Sequence, residues 1–215
     1  MSKLRRAVAR TSAKSHFIIN ILAKVLQICG LDFFDLEFRE IFIAGPKIIE
    51  PKVFGDHRGY FFESYSASKF EQAGLNLDFV QDNESMSHRG VLRGLHFQHP
   101  PHDQGKLVRV ISGEVQDVIV DIRKNSRTYG QSFSINLSAE NKLMFWIPSG
   151  FAHGFCTLKD NTIFSYKCTN LYNLASEGGL LFNDPKLNID WQLQDVNLSD
   201  KDKVHPTLDV LDSPF

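Results

Sequence analysis

Three side chains in this 215-residue sequence have the type and placing for proton transfer. His96 lies in the run Arg93-Gly94-Leu95-His96-Phe97-Gln98. An imidazole with a reference pKa near about 6.5 suits the role of base if a carboxylate orients it and supports its charged form. Lys106 opens a strand-like run and shares its parity with Val108 and Val110, which sets an ammonium at the mouth of the face those valines bury. Tyr166 shares parity with Phe164 and Cys168, so its phenol points toward an apolar interior. Taking a proton from a carbon beside a carbonyl needs a base, a cation for the oxygen that gains charge, and an acid to return the proton. These three residue types supply that set. His96 and Tyr166 also have plainer readings, since a mid-strand histidine is more often structural than basic and Tyr166 can simply pack on Phe164.

Arg58 and Arg93 carry planar forks that match pairs of phosphate oxygens. Arg93 and His96 stand at opposite parity, so both reach one ligand only if the strand is irregular near Gly94, and glycine permits that. Lys and Arg total 24 against 25 Asp and Glu, for a formal net charge of -1. Anion binding must therefore come from local clusters, and nucleic acid is not an expected partner. The three cysteines, Cys29, Cys156 and Cys168, have no C-x-x-C spacing, which argues against a disulfide framework or structural zinc and for a reducing cytoplasm. No apolar run reaches the 18 residues of a membrane span.

The elements that must position these residues read as strands. Ser132–Ser138 alternates polar and apolar at period two, and Val118, Val120 and Ile122 alternate with Asp117, Ile119 and Asp121, as strands with one wet and one buried face do. Turn residues at Ser112-Gly113, 124–126, 148–150 and 159–161 separate the runs, and only Ser66 to Ala73 looks helical. The spacing predicts an all-β, antiparallel, double-sheet jelly roll with short peripheral helices. Strands are expected from Ile48 onward. Residues 1–35 form a separate basic extension, with Lys3, Arg5, Arg6, Arg10, Lys14 and Lys24 preceding the first acid, Asp32, and with apolar residues at near-helical spacing. The domain proper is expected over 36–215.

The run Ile147–Phe155 contains P-x-G-x-x-H and resembles the second motif of the cupin superfamily of small β-barrels. Lys106–Val115 adds the strand, tight turn and strand that follow the first motif. Metal-binding cupins place an H-x-H pair and a glutamate there. This chain has His96-Phe97-Gln98-His99, so the resemblance implies a metal-free, cofactor-free member. A more specific, ordered set of motifs follows: Asp56–Glu63, Gln81–Ser87, Gly90–Gln98, Gly105–Arg109, Gly150–Phe155, Tyr166-Lys167, Asn183-Asp184-Pro185 and Leu198–Asp202. Together, over roughly three quarters of the chain, they resemble the dTDP-4-dehydrorhamnose 3,5-epimerases.

That resemblance implies an isomerase acting on a dTDP-linked 4-keto-6-deoxyhexose at carbons 3 and 5. It casts His96 as base, Lys106 as the cation on the enolate oxygen and Tyr166 as acid. The carboxylate partner of His96 is implied to be Asp202, while Asp121, at a strand end, is a rival that residue spacing leaves open. Arg58 and Arg93 become diphosphate and sugar contacts. Phe54, Glu63, Gln81, Asn83 and Tyr172 become base-side and sugar contacts, and His153 lines the pocket. The resemblance also implies a homodimer in which one subunit completes the other's nucleotide site. A 3- or 5-mono-epimerase, a 3,4-ketoisomerase, a non-catalytic sugar-nucleotide binder and a metal-dependent oxygenase are the competing readings.

Overall fold

Residues 36–215 are described in the computed structural model. The basic extension over residues 1–35, with its near-helical apolar spacing, lies outside them. Among the described residues thirteen strands succeed one another: β1 (Leu36–Glu40), β2 (Lys47–Pro51), β3 (Phe54–Asp56), β4 (Gly59–Phe61), β5 (Gln81–Ser87), β6 (Leu92–Gln98), β7 (Lys106–Ser112), β8 (Glu114–Asp121), β9 (Ser132–Ser138), β10 (Met144–Ile147), β11 (Phe151–Thr157), β12 (Thr162–Cys168) and β13 (Glu177–Gly179). A short helix α1 (Ala67–Gln72) and a 3₁₀ turn at Leu174–Ser176 are peripheral, as the sequence predicts.

Two antiparallel sheets face each other, one ordered β1-β2-β10-β7-β12-β5 and the other β13-β6-β11-β8-β9, with β3-β4 as a separate hairpin. This is the expected double-sheet jelly roll. β1 begins before the point where the sequence reads as strands, because Leu36-Glu37-Phe38 alternates well enough to pair along β2 and to bury Leu36.

The chain passes between sheets at Gly113, where β7 ends and β8 begins. Its φ of +82° lies in the left-handed region, and a Cβ there would collide with Thr162. Apolar side chains from both sheets meet between them, among them Val108, Val110, Val115, Ile119, Phe155 and Phe164.

The reading of β8 as half-wetted needs correction. Val118, Val120 and Ile122 lie under the C-terminal segment with Leu180, Leu187 and Trp191, while Asp117, Ile119 and Asp121 are also fully buried. The sheet is covered on its outer face by chain that follows β13, so alternation here separates two buried environments. β9 follows its pattern only in part: Leu137 is buried and Ser134 exposed, but Ser138 is buried as well, its hydroxyl accepting from the N–H groups of Glu140 and Asn141.

Candidate active site

The two sheets diverge around a cavity of about 670 Å³ whose lining includes Arg93, His96, Lys106, His153, Tyr166 and Asp202. That volume suits a small-molecule ligand. His96 and Arg93 come from β6 in the five-stranded sheet. Lys106 on β7 and Tyr166 on β12 come from the six-stranded sheet, so the candidate base faces the candidate cation and acid across the cavity.

The predicted irregularity in β6 is present. His153 pairs with His96 and Phe155 with Arg93, so Gly94 and Leu95 together oppose the single Gly154. This bulge turns both Arg93 and His96 to the cavity while Leu95 and Phe97 face the outer apolar layer. Gly94 has φ +130°, and a Cβ on it would stand 2.6 Å from Gly154 Cα. Glycine is required on both steric and backbone grounds.

His96 Nε2 lies 2.6 Å from Asp202 Oδ1, across 106 residues of sequence. Asp202 is placed by a bridge from Val91 to Asn197 and by a turn in which its own N–H donates to the Ser199 carbonyl. Burial pushes its carboxyl toward the neutral form, but the His96 hydrogen bond and charge, Ser199 and the Gly94 N–H outweigh it and hold the pKa below the ordinary value. The rival Asp121 is bound elsewhere. Arg123 Nε and Nη2 donate to it at 2.8 and 2.7 Å, and the Ser126 and Thr128 hydroxyls donate at 2.6 Å each. It has no part in the dyad.

Desolvation lowers the pKa of Lys106, against the opposing pull of Cys168, Asp117 and Glu177. Its ammonium stands 6.0 Å from the centroid of the Tyr166 ring. Burial and then Cys168 raise the pKa of Tyr166, and Asn83 and Arg93 partly offset that, so the phenol holds its proton at neutral pH. Cys168 itself is a desolvated thiol with a raised pKa, and Cys156 is pushed up to about 11 by burial. Both are packing residues, as expected.

His153 is buried with Asp117, Nε2 to Oδ2 at 2.9 Å. The remaining predicted residues divide in two. Asn83 is the cross-strand partner of Tyr166 and accepts from Gln81 Nε2 at 3.0 Å, and Gln81 Oε1 accepts the backbone N–H of Tyr172, so these three form a linked group beside Tyr166, though none of them lines the cavity. Phe54, Arg58 and Glu63 are not among the cavity's lining in their own chain. Arg58 is on the β3-β4 hairpin, its side chain 78% exposed and paired with Asp56 at 2.5 Å. Sequence reasoning missed Asp117, Lys201 and His205. Lys201 also lines the cavity and pairs with Glu177 at 2.6 Å. Its signal was its place beside Asp202. Asp117 was legible only as an acid inside a valine-rich strand, a position where aspartate is rare.

A histidine–carboxylate dyad opposed by a lysine and a tyrosine, inside an antiparallel double-sheet jelly roll, is the arrangement of a cupin-like enzyme of proton transfer. The family model for dTDP-4-dehydrorhamnose 3,5-epimerase matches residues 40–209, and the chain belongs to that family. It is 57% identical over 156 residues to the dTDP-4-dehydrorhamnose 3,5-epimerase of Shigella flexneri, covering 72% of this chain and 86% of that protein. A crystal structure of the Legionella pneumophila dTDP-6-deoxy-D-glucose-3,5-epimerase in complex with dTDP-4-keto-L-rhamnose superposes with a TM-score of 0.79 at 50% identity, over 82% of this chain and 95% of that one. ChmJ, a 3'-monoepimerase from Streptomyces bikiniensis, is also similar, at 34% identity and a TM-score of 0.75, with 80% and 87% covered.

Proposed function

We propose that this chain is an isomerase that inverts carbons 3 and 5 of dTDP-4-dehydro-6-deoxy-D-glucose, giving dTDP-4-dehydro-L-rhamnose for deoxysugar synthesis. The observation that carries the reading is the placing of His96 and Tyr166 on opposite sheets across one cavity. Inversion requires a proton to leave one face of the sugar and another to arrive on the opposite face, and two groups on facing walls can do that.

In this mechanism His96, oriented by Asp202, takes the proton from the carbon beside the ketone. The carbon–hydrogen electron pair moves into the ring as the carbonyl oxygen takes up negative charge, and Lys106 donates to that oxygen. Tyr166 delivers a proton to the opposite face. Arg93 and His153 hold the sugar and diphosphate from the His96 side, and Asn83, Gln81 and Tyr172 extend the site toward the base. No metal or cofactor takes part.

The exposed hairpin residues Arg58 and Phe54, with Glu63 just beyond it, act in a second copy of the chain, so the working unit is a homodimer. The hairpin's exposed Phe54, Tyr60 and Phe61 support this, being 47%, 60% and 68% accessible in the isolated chain. The working domain is residues 36–215, with 1–35 an appended basic extension. The unpaired buried thiols of Cys156 and Cys168 suit a cytoplasmic protein, and no described helix is long and apolar enough to cross a membrane.

The test is proton NMR of the keto-sugar nucleotide incubated with the enzyme in deuterated water. Deuterium at both carbons 3 and 5 is expected. Exchange at one carbon would replace this reading by a mono-epimerase, the activity named for ChmJ, and nucleotide binding without exchange would leave a binding protein.

A further inference from the structure

His205 lies three residues beyond Asp202, in the turn that presents the carboxylate to His96. Its side chain is only 13% exposed. The ring rests over Gly179 of β13, where any Cβ would collide with it, and Gly179 is the cross-strand partner of His96. The missing side chain at 179 thus opens the space that brings a second imidazole beside the first, with ring centroids 5.7 Å apart at 77°.

His205 Nε2 sits 3.5 Å from Asp202 Oδ1, the same oxygen that His96 Nε2 meets at 2.6 Å, and is buried without a hydrogen bond. Among the described residues, this is the group whose ligand atoms converge, all within 4.8 Å of one another. Two imidazoles and one carboxylate make an N₂O donor set that suits zinc and its first-row neighbours, and suits the oxygen-seeking magnesium and calcium poorly.

We infer that His96, Asp202 and His205 form a binding site for a divalent transition ion of the zinc class, and that the bound ion blocks proton abstraction by occupying His96. Ligands at about 2.0–2.1 Å from a tetrahedral zinc stand roughly 3.3 Å apart. The His96–Asp202 contact must therefore open by several tenths of an ångström and give up its shared proton, while His205 moves in toward both. The proton moves to Nδ1 as Nε2 coordinates the ion, so neither ring nitrogen keeps a free lone pair with which to take a proton, and the dyad is gone. The ion acts as an inhibitor here, whereas a cupin oxygenase would require one. This set is also distinct from the H-x-H arrangement that the sequence lacks.

The inhibition half rests on His96 being the base, whereas the binding half does not. Calorimetric titration of the metal-stripped full-length chain with zinc chloride, and the visible spectrum of its cobalt complex, report binding without turnover. We expect one ion per chain at the site, and affinity weakened about 10²-fold or more in both His205→Leu and His205→Gln, since even outer-shell changes cost 10–100-fold. Proton exchange by the native chain should stop on zinc loading and return with EDTA, while both variants turn over and resist zinc. Equal zinc affinity in all three proteins would overturn the site, and full exchange by the zinc-loaded native chain would overturn the block.

Discussion

His96 and His153 are cross-strand partners on β6 and β11, and each is held by its own carboxylate, Asp202 at 2.6 Å and Asp117 at 2.9 Å. The two pairs differ in access. The His96 side chain is 27% exposed beside a buried Asp202, whereas His153 and Asp117 are 8% and 0% exposed. A base that must reach a sugar carbon needs the open position. The closed pair is more fully buried, with the His153 ring 6.4 Å from the ring of Phe164.

Exchanging each histidine for asparagine separates these roles. His96→Asn is expected to lower deuterium exchange at carbon 3 by about 10²–10⁴-fold while leaving nucleotide affinity nearly intact. His153→Asn should keep measurable exchange and act mainly through KM. The reverse pattern in the NMR assay would move the base to β11.

Burial moves the Tyr166 phenol further above its ordinary pKa, and removing its hydroxyl keeps the ring that lines the cavity. Tyr166→Phe should reduce formation of the doubly inverted product by roughly 10²–10⁴-fold, while His96 still exchanges the proton it abstracts. Product analysis alongside the deuterium pattern reads this directly. Unchanged full epimerisation would assign proton delivery to water or another group.

Much of this site was legible in the chain. Parity alone set Lys106 with Val108 and Val110, and Tyr166 with Phe164, and those apolar residues do meet between the sheets. The opposed parity of Arg93 and His96 foretold the bulge at Gly94. What parity does not carry is long-range pairing. Asp202 reaches His96 only because the segment after β13 returns over β6, and no local spacing distinguishes it from Asp121. The same returning chain is why β8 is buried on both faces despite its alternation. His205 carried no signal, since its importance depends on an empty position at Gly179 that only the folded sheet reveals.

Gly94→Ala tests the bulge. The new methyl would meet backbone of β11 on both Gly154 and His153, at 2.6 and 3.0 Å, and backbone cannot swing aside as a flexible side chain does. Strain of about 1–3 kcal/mol is expected in urea unfolding. Activity should fall further than stability, because the same displacement moves His96 and Arg93. A fully active, equally stable variant would show that β6 reaches the cavity without this constraint.

Asp121, bound to Arg123, Ser126 and Thr128 rather than to His96, should contribute to acid stability. Burial would raise its pKa, but the hydrogen bonds from Arg123, Ser126, Thr128 and the Arg123 backbone together bring it down from 3.8 to about 2. A depressed carboxylate stabilises the fold above its unfolded pKa, and that contribution is lost as pH falls from about 4 toward 2. The shift corresponds to about 2 kcal/mol. Asp121→Asn should therefore lower unfolding free energy by about that amount at pH 7, with the gap closing near pH 2. A gap independent of pH would point to lost packing.

The last prediction concerns the hairpin. If Arg58 serves the partner's cavity, a dimer made of one His96→Asn and one Arg58→Ala chain has one doubly damaged site and one intact site. The intact one combines native His96 with the native Arg58 of the other chain. Random mixing gives half of all dimers this composition, so two nearly inactive proteins, unfolded and refolded together, should recover about a quarter of native activity if the damaged sites contribute little. If Arg58 served its own cavity, every site in the mixture would carry one defect and no activity would return. The exposure of Arg58 and its absence from the cavity lining of its own chain lead to the first outcome.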